Sequence, residues 1–380
     1  MEALPSSQRA FKVRGSGEAE LVESCPLPDF EEDEVLVRVR CVAINPVDVK
    51  VLDMAPHVGA TIGCEFAGDV VRRGRGVKNG RLRVGVAVFG CICGNNPNRP
   101  DNGAFAEYVA VAGDLVYLLP PHLSYQDGAT LGAALPTVGM AVYKSWRLRL
   151  PYPASSADQA GSQLQDVGNA SAEKPHAPSS GQHVLVYGGS TVSGAVAIQM
   201  LRKSGLIPVC TCSPRNFAMV KALGAQEAFD YRSPSCGADI RRFTGDKLAY
   251  ALDCIADLVS MRTCYAAIGR AGGRYMGLNP IQPRAHTRRD VKPDYILVYT
   301  MFGREVSWPR PFARPPRPKD RAFAEGWCQE TQALVDMPAG IRPHPVDSGA
   351  EGWDGVMGGL DRMRKGDVSG IKLVYDLASM

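Results

Sequence analysis

One stretch constrains the fold more than any other. His183-Val184-Leu185-Val186-Tyr187-Gly188-Gly189-Ser190-Thr191-Val192-Ser193-Gly194 is an apolar strand pattern that runs into glycines and then into a helical pattern. Val192, Ala195, Val196, Ile198, Met200 and Leu201 supply the apolar positions of a helix over 191–204. A glycine turn between strand and helix leaves backbone N–H groups facing the helix start, which suits an anion. A short apolar strand, residues 206–212, follows and runs into Ser213-Pro214-Arg215-Asn216. This is the layout of a dinucleotide-binding unit, with glycines spaced more loosely than in GxGxxG. A site for the unphosphorylated ribose needs Asp or Glu at the end of the second strand. Ser213 and Arg215 stand there instead, and a hydroxyl beside a guanidinium suits a 2′-phosphate. The expected cofactor is therefore NADPH, and the expected chemistry reductive.

The surrounding pattern extends this unit. Strands are predicted at 183–187, 207–212, 227–231, 248–253 and 273–278, with helices at 191–204, 215–223, 237–244 and 257–267. Strict alternation predicts an α/β fold with a Rossmann-type, doubly wound parallel sheet. The first part of the chain reads differently. Ala10 to Val13 and Glu34 to Val42 alternate apolar and polar residues, and glycine-punctuated short strands follow at 63–71, 84–90 and 103–109. That density of strands and turns predicts a small barrel. Residues 125–146 change to helical spacing, and residues 151–181, rich in Pro, Ser and Gln, read as an exposed insertion. Residues 305–320 hold too many prolines for regular structure, and 368–375 read as a final strand.

Composition narrows the function classes. The 380 residues are 45% hydrophobic and 22% charged, ordinary for a globular protein of two domains. A net charge of +4 on this length gives no footprint for nucleic acid. No apolar run approaches the length of a membrane span, and the N-terminus lacks the apolar core of a signal peptide, so the expected location is cytoplasmic. Eleven cysteines form no CxxC pair; Cys91/Cys93 and Cys210/Cys212 are CxC. That spacing does not build a structural zinc site, and free thiols are expected.

The order of strand-rich barrel, dinucleotide unit and return to the first unit resembles the medium-chain dehydrogenase/reductase superfamily, whose first unit is a GroES-like barrel. Val42-Ala43-Ile44-Asn45-Pro46-Val47-Asp48-Val49-Lys50 resembles the Asn-Pro-x-Asp-x-Lys segment of its zinc-free, quinone oxidoreductase-like branch. Zinc alcohol dehydrogenases carry a cysteine ligand here and Gly-His-Glu farther on; this chain has Gly63-Cys64-Glu65, so no metal site is expected. Blocks including Thr211-Cys212-Ser213-Pro214, Tyr250-Ala251-Leu252-Asp253-Cys254, Leu278-Asn279-Pro280 and Ser369-Gly370-Ile371-Lys372-Leu373-Val374 are similar to those of the trans-acting enoyl reductases of fungal polyketide synthases. The resemblance implies a first part of the barrel at 1–145, a nucleotide unit at 182–305 and a return to the barrel at 306–380.

It also implies roles. Val47, Asp48, Val49 and Lys50 would approach the nicotinamide. Ser190, Thr191, Val192 and Ser193 would hold the pyrophosphate, and Ser213, Pro214, Arg215 and Asn216 the 2′-phosphate. Tyr231 would flank the adenine. Leu278, Asn279, Val368 and Ser369 would close over the nicotinamide. The acyl channel would run beside Ala133, Ala134, Leu135, Pro136, Thr137 and Val138 and beside Val298, Tyr299, Thr300, Met301 and Phe302, with the bulk of 297–299 narrowing it. The implied reaction is NADPH-dependent reduction of the α,β-double bond of a chain tethered to a partner synthase, by a monomer. Lys50 and Thr137 are candidate donors to the thioester oxygen, and no proton donor stands out. Arg310, Arg314 and Arg317 offer a basic face to an acidic carrier domain. Two rivals stay open: a free-standing quinone or alkenal reductase, and a non-catalytic NADPH-binding subunit.

Overall fold

The computed structural model describes residues 4–148, 150, 178–348 and 352–377. The chain opens with a hairpin of β1 (Gln8–Gly15) and β2 (Glu18–Cys25). There follow β3 (Glu34–Ala43), α1 (Pro46–Met54), β4 (Glu65–Arg73), β5 (Ala87–Cys91), β6 (Tyr108–Ala112) and β7 (Tyr117–Leu118). β3 is the spine of this part. Its first half pairs with β6 and its second half with the last strand of the chain, while β4 runs antiparallel along its other edge. A register shift between Val39 and Cys41 marks where the pairing changes. The apolar alternation of β3 thus serves a strongly curved sheet whose interior holds Phe11, Val37, Phe66, Val88 and Phe105.

Two short helices, α2 (Tyr125–Ala129) and α3 (Ala134–Val138), and a π-helical turn, Gly139–Lys144, lead out of the first sheet. The insertion read at 151–181 falls mostly on 151–177, outside the described residues. The parallel sheet then begins. β8 (His183–Tyr187), α4 (Val192–Lys203), β9 (Ile207–Cys212), α5 (Phe217–Ala222), β10 (Glu227–Asp230), α6 (Cys236–Phe243), β11 (Tyr250–Asp253), α7 (Leu258–Ala267) and β12 (Gly273–Gly277) alternate as predicted. A sixth strand, β13 (Val291–Tyr295), completes the sheet. Its order is β10-β9-β8-β11-β12-β13, all parallel, so the winding reverses between β8 and β11. Val184 and Val186 face one apolar layer and Leu185 and Tyr187 the other, as a sheet covered on both faces requires.

The return segment carries more helix than its sequence suggests. The proline-rich run ends at α8 (Pro318–Asp336), where Pro318 takes a first-turn position that needs no backbone donor. A further helix, α9 (Gly352–Lys365), lies between β14 (Val346–Asp347) and β15 (Lys372–Asp376). β15 joins β3, so the end of the chain sits in the first sheet. Residues 368–371 form a loop, and the last long strand starts only at Lys372. All eleven cysteines are free.

Candidate functional site

A cleft of about 810 Å³ runs between the carboxyl ends of the parallel strands and the first sheet. It lies at the reversal of strand order, where open α/β sheets bind ligands. Gly188, after β8, has φ +81°, a conformation costly for any residue with a Cβ. Thr191 caps α4: its hydroxyl donates to the Gly188 carbonyl at 2.8 Å and accepts from the Gly194 N–H at 3.0 Å. A Cβ on Gly194 would lie 2.2 Å from the Gly188 oxygen, so glycine alone lets α4 start this close to the turn. The result is a shallow cradle in which Ser190, Thr191, Val192 and Ser193 line the cleft at a helix N-terminus.

Ser213 and Arg215 line the same cleft at the end of β9. Arg215 is exposed and makes no ion pair among the described residues. Asp230, at the end of β10, is held by Arg232 at 2.9 and 3.0 Å, which keeps its carboxyl below the usual range. The free guanidinium is therefore the group presented to a ligand here. Tyr231 lines the cleft beside Tyr187, with ring centroids 6.4 Å apart, while Pro214 and Asn216 do not line it. Asn216 is buried and donates from Nδ2 to Ser369 Oγ at 3.1 Å, joining the β9 end to the 366–371 loop.

At the other end, α1 brings up Val47 and Lys50. Lys50 Nζ donates to Asn279 Oδ1 at 3.0 Å across the cleft, and desolvation holds its ammonium below the ordinary lysine range. Asp48 and Val49 point away into the fold. Asp48 accepts from the Asn45 N–H at 2.8 Å, closing the cap of α1, and its burial raises the carboxyl to about 7. Leu278, Asn279, Val368 and Ser369 all face the cleft. From Ala133 and α3 after it, only Ala133 and Thr137, one turn apart, do so; Ala134, Leu135, Pro136 and Val138 pack inward. Val298 and Tyr299 line the cleft. Thr300 turns to α8, donating to Asp320 Oδ2 at 2.5 Å, and Met301 and Phe302 pack beside Leu115 and Ala324.

Several lining residues had no signal at their own positions. Trp308 is buried, stacks edge-on against Tyr299 at 5.1 Å and donates its indole N–H to the Asn95 carbonyl at 2.9 Å. With Phe312, Leu297, Val51 and Met54 it makes one end of the cleft apolar. Arg310 sits exposed at this rim; Arg314 is spent on the Pro311 and Ala313 carbonyls and the Tyr295 hydroxyl. Cys64, Cys91 and Cys254 also line the cleft.

The floor is charged and closed. Glu65 and Lys372 are buried and 2.7 Å apart. Asn45 donates to Glu65 at 2.8 Å and to the Cys64 sulfur at 3.4 Å, and accepts from Lys372 at 2.5 Å. The positions at which the zinc enzymes were expected to carry ligands are thus bonded to one another and to a lysine. Among the described residues no cluster of three or more His, Cys, Asp or Glu side chains is arranged to hold a metal ion.

Comparison with known proteins places this arrangement. The alcohol dehydrogenase GroES-like domain family matches residues 31–121. The trans-enoyl reductase opdC of Penicillium oxalicum is 44% identical over 378 residues, covering 99% of each chain. The trans-enoyl reductase apdC of Emericella nidulans is 45% identical over 375 residues, again covering 99% of each. Among solved structures, the CurK enoyl reductase superposes with a TM-score of 0.71 at 15% identity, covering 98% of this chain and 99% of that one, a likeness of fold. At the 44–45% identity of the two fungal relatives over nearly its whole length the chain belongs to the trans-enoyl reductases, and it carries an alcohol dehydrogenase GroES-like domain.

Proposed function

We propose that this protein is an NADPH-dependent enoyl reductase that works in trans, as a cytoplasmic monomer, on the α,β-double bond of a polyketide chain carried by a partner synthase. Enoyl reductases of this superfamily draw their reducing equivalents from a pyridine nucleotide. The observation that carries the choice of NADPH is the unpaired Arg215 beside Ser213 at the end of β9, where no carboxylate of that loop repels a 2′-phosphate. The Ser190–Ser193 turn would hold the pyrophosphate and the Val47, Asn279 and Val368–Ser369 surfaces the nicotinamide.

When bound, the cofactor would supply hydride to the β-carbon of an unsaturated thioester, and a proton from water, added later at the α-carbon, would complete the reduction. The chain's own residues must then do three things. Lys50 and Thr137 donate hydrogen bonds where negative charge gathers on the thioester oxygen, in a cleft whose low polarity strengthens them. Leu297, Val298, Tyr299, Trp308 and Phe312 receive the acyl chain and keep water from it. Arg310, exposed at the rim, faces an incoming acidic carrier.

Purified protein should consume NADPH, and NADH far more slowly, with a panel of enoyl thioesters, activity rising toward long branched chains. Turnover confined to quinones would remove this reading. Charge reversal of Arg310 and Arg317 should slow synthase-dependent turnover and spare a small thioester mimic.

A further inference from the structure

Glu65 engages both carboxylate oxygens. Oε1 accepts from the Ala133 N–H at 2.6 Å; Oε2 accepts from Asn45 Nδ2 at 2.8 Å and lies 2.7 Å from Lys372 Nζ. Glu65 is fully buried and the Lys372 side chain nearly so. Charges this deep lose their hydration, and the attraction between them offsets that only with the help of further hydrogen bonds, which Ala133 and Asn45 supply here. The three partners come from segments remote in sequence. Asn45 is the residue before α1, which carries Lys50. Ala133 precedes α3 by one residue and Thr137 by one turn. Lys372 directly follows the loop that carries Val368 and Ser369. Each tie therefore lies within five residues of a side chain that faces the cleft.

We propose that Glu65 is the positioning residue of this site: its carboxylate fixes α1, α3 and the 366–371 loop relative to one another, and so sets the mutual placement of Lys50, Thr137 and Ser369. The proposal deepens the enoyl reductase reading and rests on it for its kinetic consequence. A charge pair that only joined β4 to β15 across β3 would predict something else, a loss of stability with the cleft surfaces unaffected.

The two are separated by hydrogen exchange on the ligand-free protein, comparing wild type with Glu65→Gln and with Glu65→Gln/Lys372→Gln. The double variant removes both charges, so it tests the idea even where a lone buried lysine prevents the single variant from folding. Exchange should quicken tenfold or more, together, in 46–54, 134–138 and 366–371, with β8 unchanged. No change in these segments, a change limited to 65–73, or an equal change in β8 overturns the proposal. In a second measurement, the double variant should lose at least tenfold in kcat on an enoyl thioester while 2′,5′-ADP binds as before, and Lys372→Arg should retain most of the rate. A folded double variant with wild-type kcat also overturns it. Should wild type reduce no enoyl thioester, the functional reading falls while the exchange experiment still judges the role of Glu65.

Discussion

In the proposed binding mode, single side chains divide the cleft into a phosphate end and a reducing end. Arg215 has no ion-pair partner among the described residues, so under the proposed NADPH binding its guanidinium would meet a 2′-phosphate without first breaking an ion pair. A charge-assisted contact of this kind contributes about 1.5–3 kcal/mol, roughly 10- to 100-fold in affinity. Arg215→Ala should therefore weaken NADPH binding by about that factor and leave NADH nearly unchanged, as read by fluorescence titration with each nucleotide. Equal losses for the two would detach Arg215 from the phosphate. Gly194 presents a harder limit, because the atom that a Cβ would meet at 2.2 Å is a backbone oxygen that cannot rotate away. Gly194→Ala should push α4 off the turn, lower the melting temperature by several degrees and weaken both nucleotides alike. The Arg215 side of this division is legible in the sequence because strand, turn and next strand end are local. The Glu65–Lys372 pair is not, since its members stand 307 positions apart and each has ordinary neighbours.

Among the elements, the parallel sheet reads most clearly from sequence. Val184 to Tyr187 and Val209 to Cys212 are continuously buried runs, apolar but for Thr211, because both faces of those strands are covered. β13 escapes notice because it is an edge strand: Lys292 and Asp294 are exposed, and Pro293 is tolerated where a ladder can lack a donor. α9 hides behind its glycines, and α8 behind the prolines before it, although Ala324, Trp327, Cys328, Thr331, Leu334 and Val335 do fall on one buried face. The 306–314 loop looks like a plain connection in sequence. In the fold, Val306 and Arg314 pair and hold Trp308 inward. Trp308→Ala should enlarge the apolar end of the cleft and shift preference toward bulkier or longer acyl chains, visible as a changed ratio of kcat/KM across the thioester panel. The lost packing should lower stability by about 3–5 kcal/mol, which denaturant unfolding would show. An unchanged substrate ratio would place the acyl chain elsewhere.

For the whole molecule, stability against pH should carry two opposed contributions from groups buried behind the cleft. His344 is buried near Lys372 with neither ring nitrogen bonded to a protein group among the described residues, and burial pushes its pKa down to about 4. The unfolded chain then binds a proton that the native state refuses, so this stabilisation is complete above about pH 6.5 and is lost as pH falls toward 4. It amounts to the order of 3 kcal/mol. Asp48 acts in the other sense. Its folded value near 7 exceeds the unfolded one, so its contribution falls as pH rises from about 4 to 7. His344→Leu should flatten the acid limb of the unfolding free energy, and Asp48→Asn should steepen its rise toward neutrality. Denaturant melts at pH 4.5, 6 and 7.5 read both, and identical slopes in both variants and wild type would contradict the assignment. The sulfur atoms along the cleft bear on another hazard. Unsaturated thioesters are Michael acceptors, and a thiolate beside one would add to it and poison the enzyme irreversibly. Cys64, Cys91 and Cys254 stand on that surface, yet desolvation raises all three thiols, that of Cys254 to about 12. Dry packing thus keeps these sulfurs protonated, and so poorly nucleophilic toward an alkene bound in the cleft.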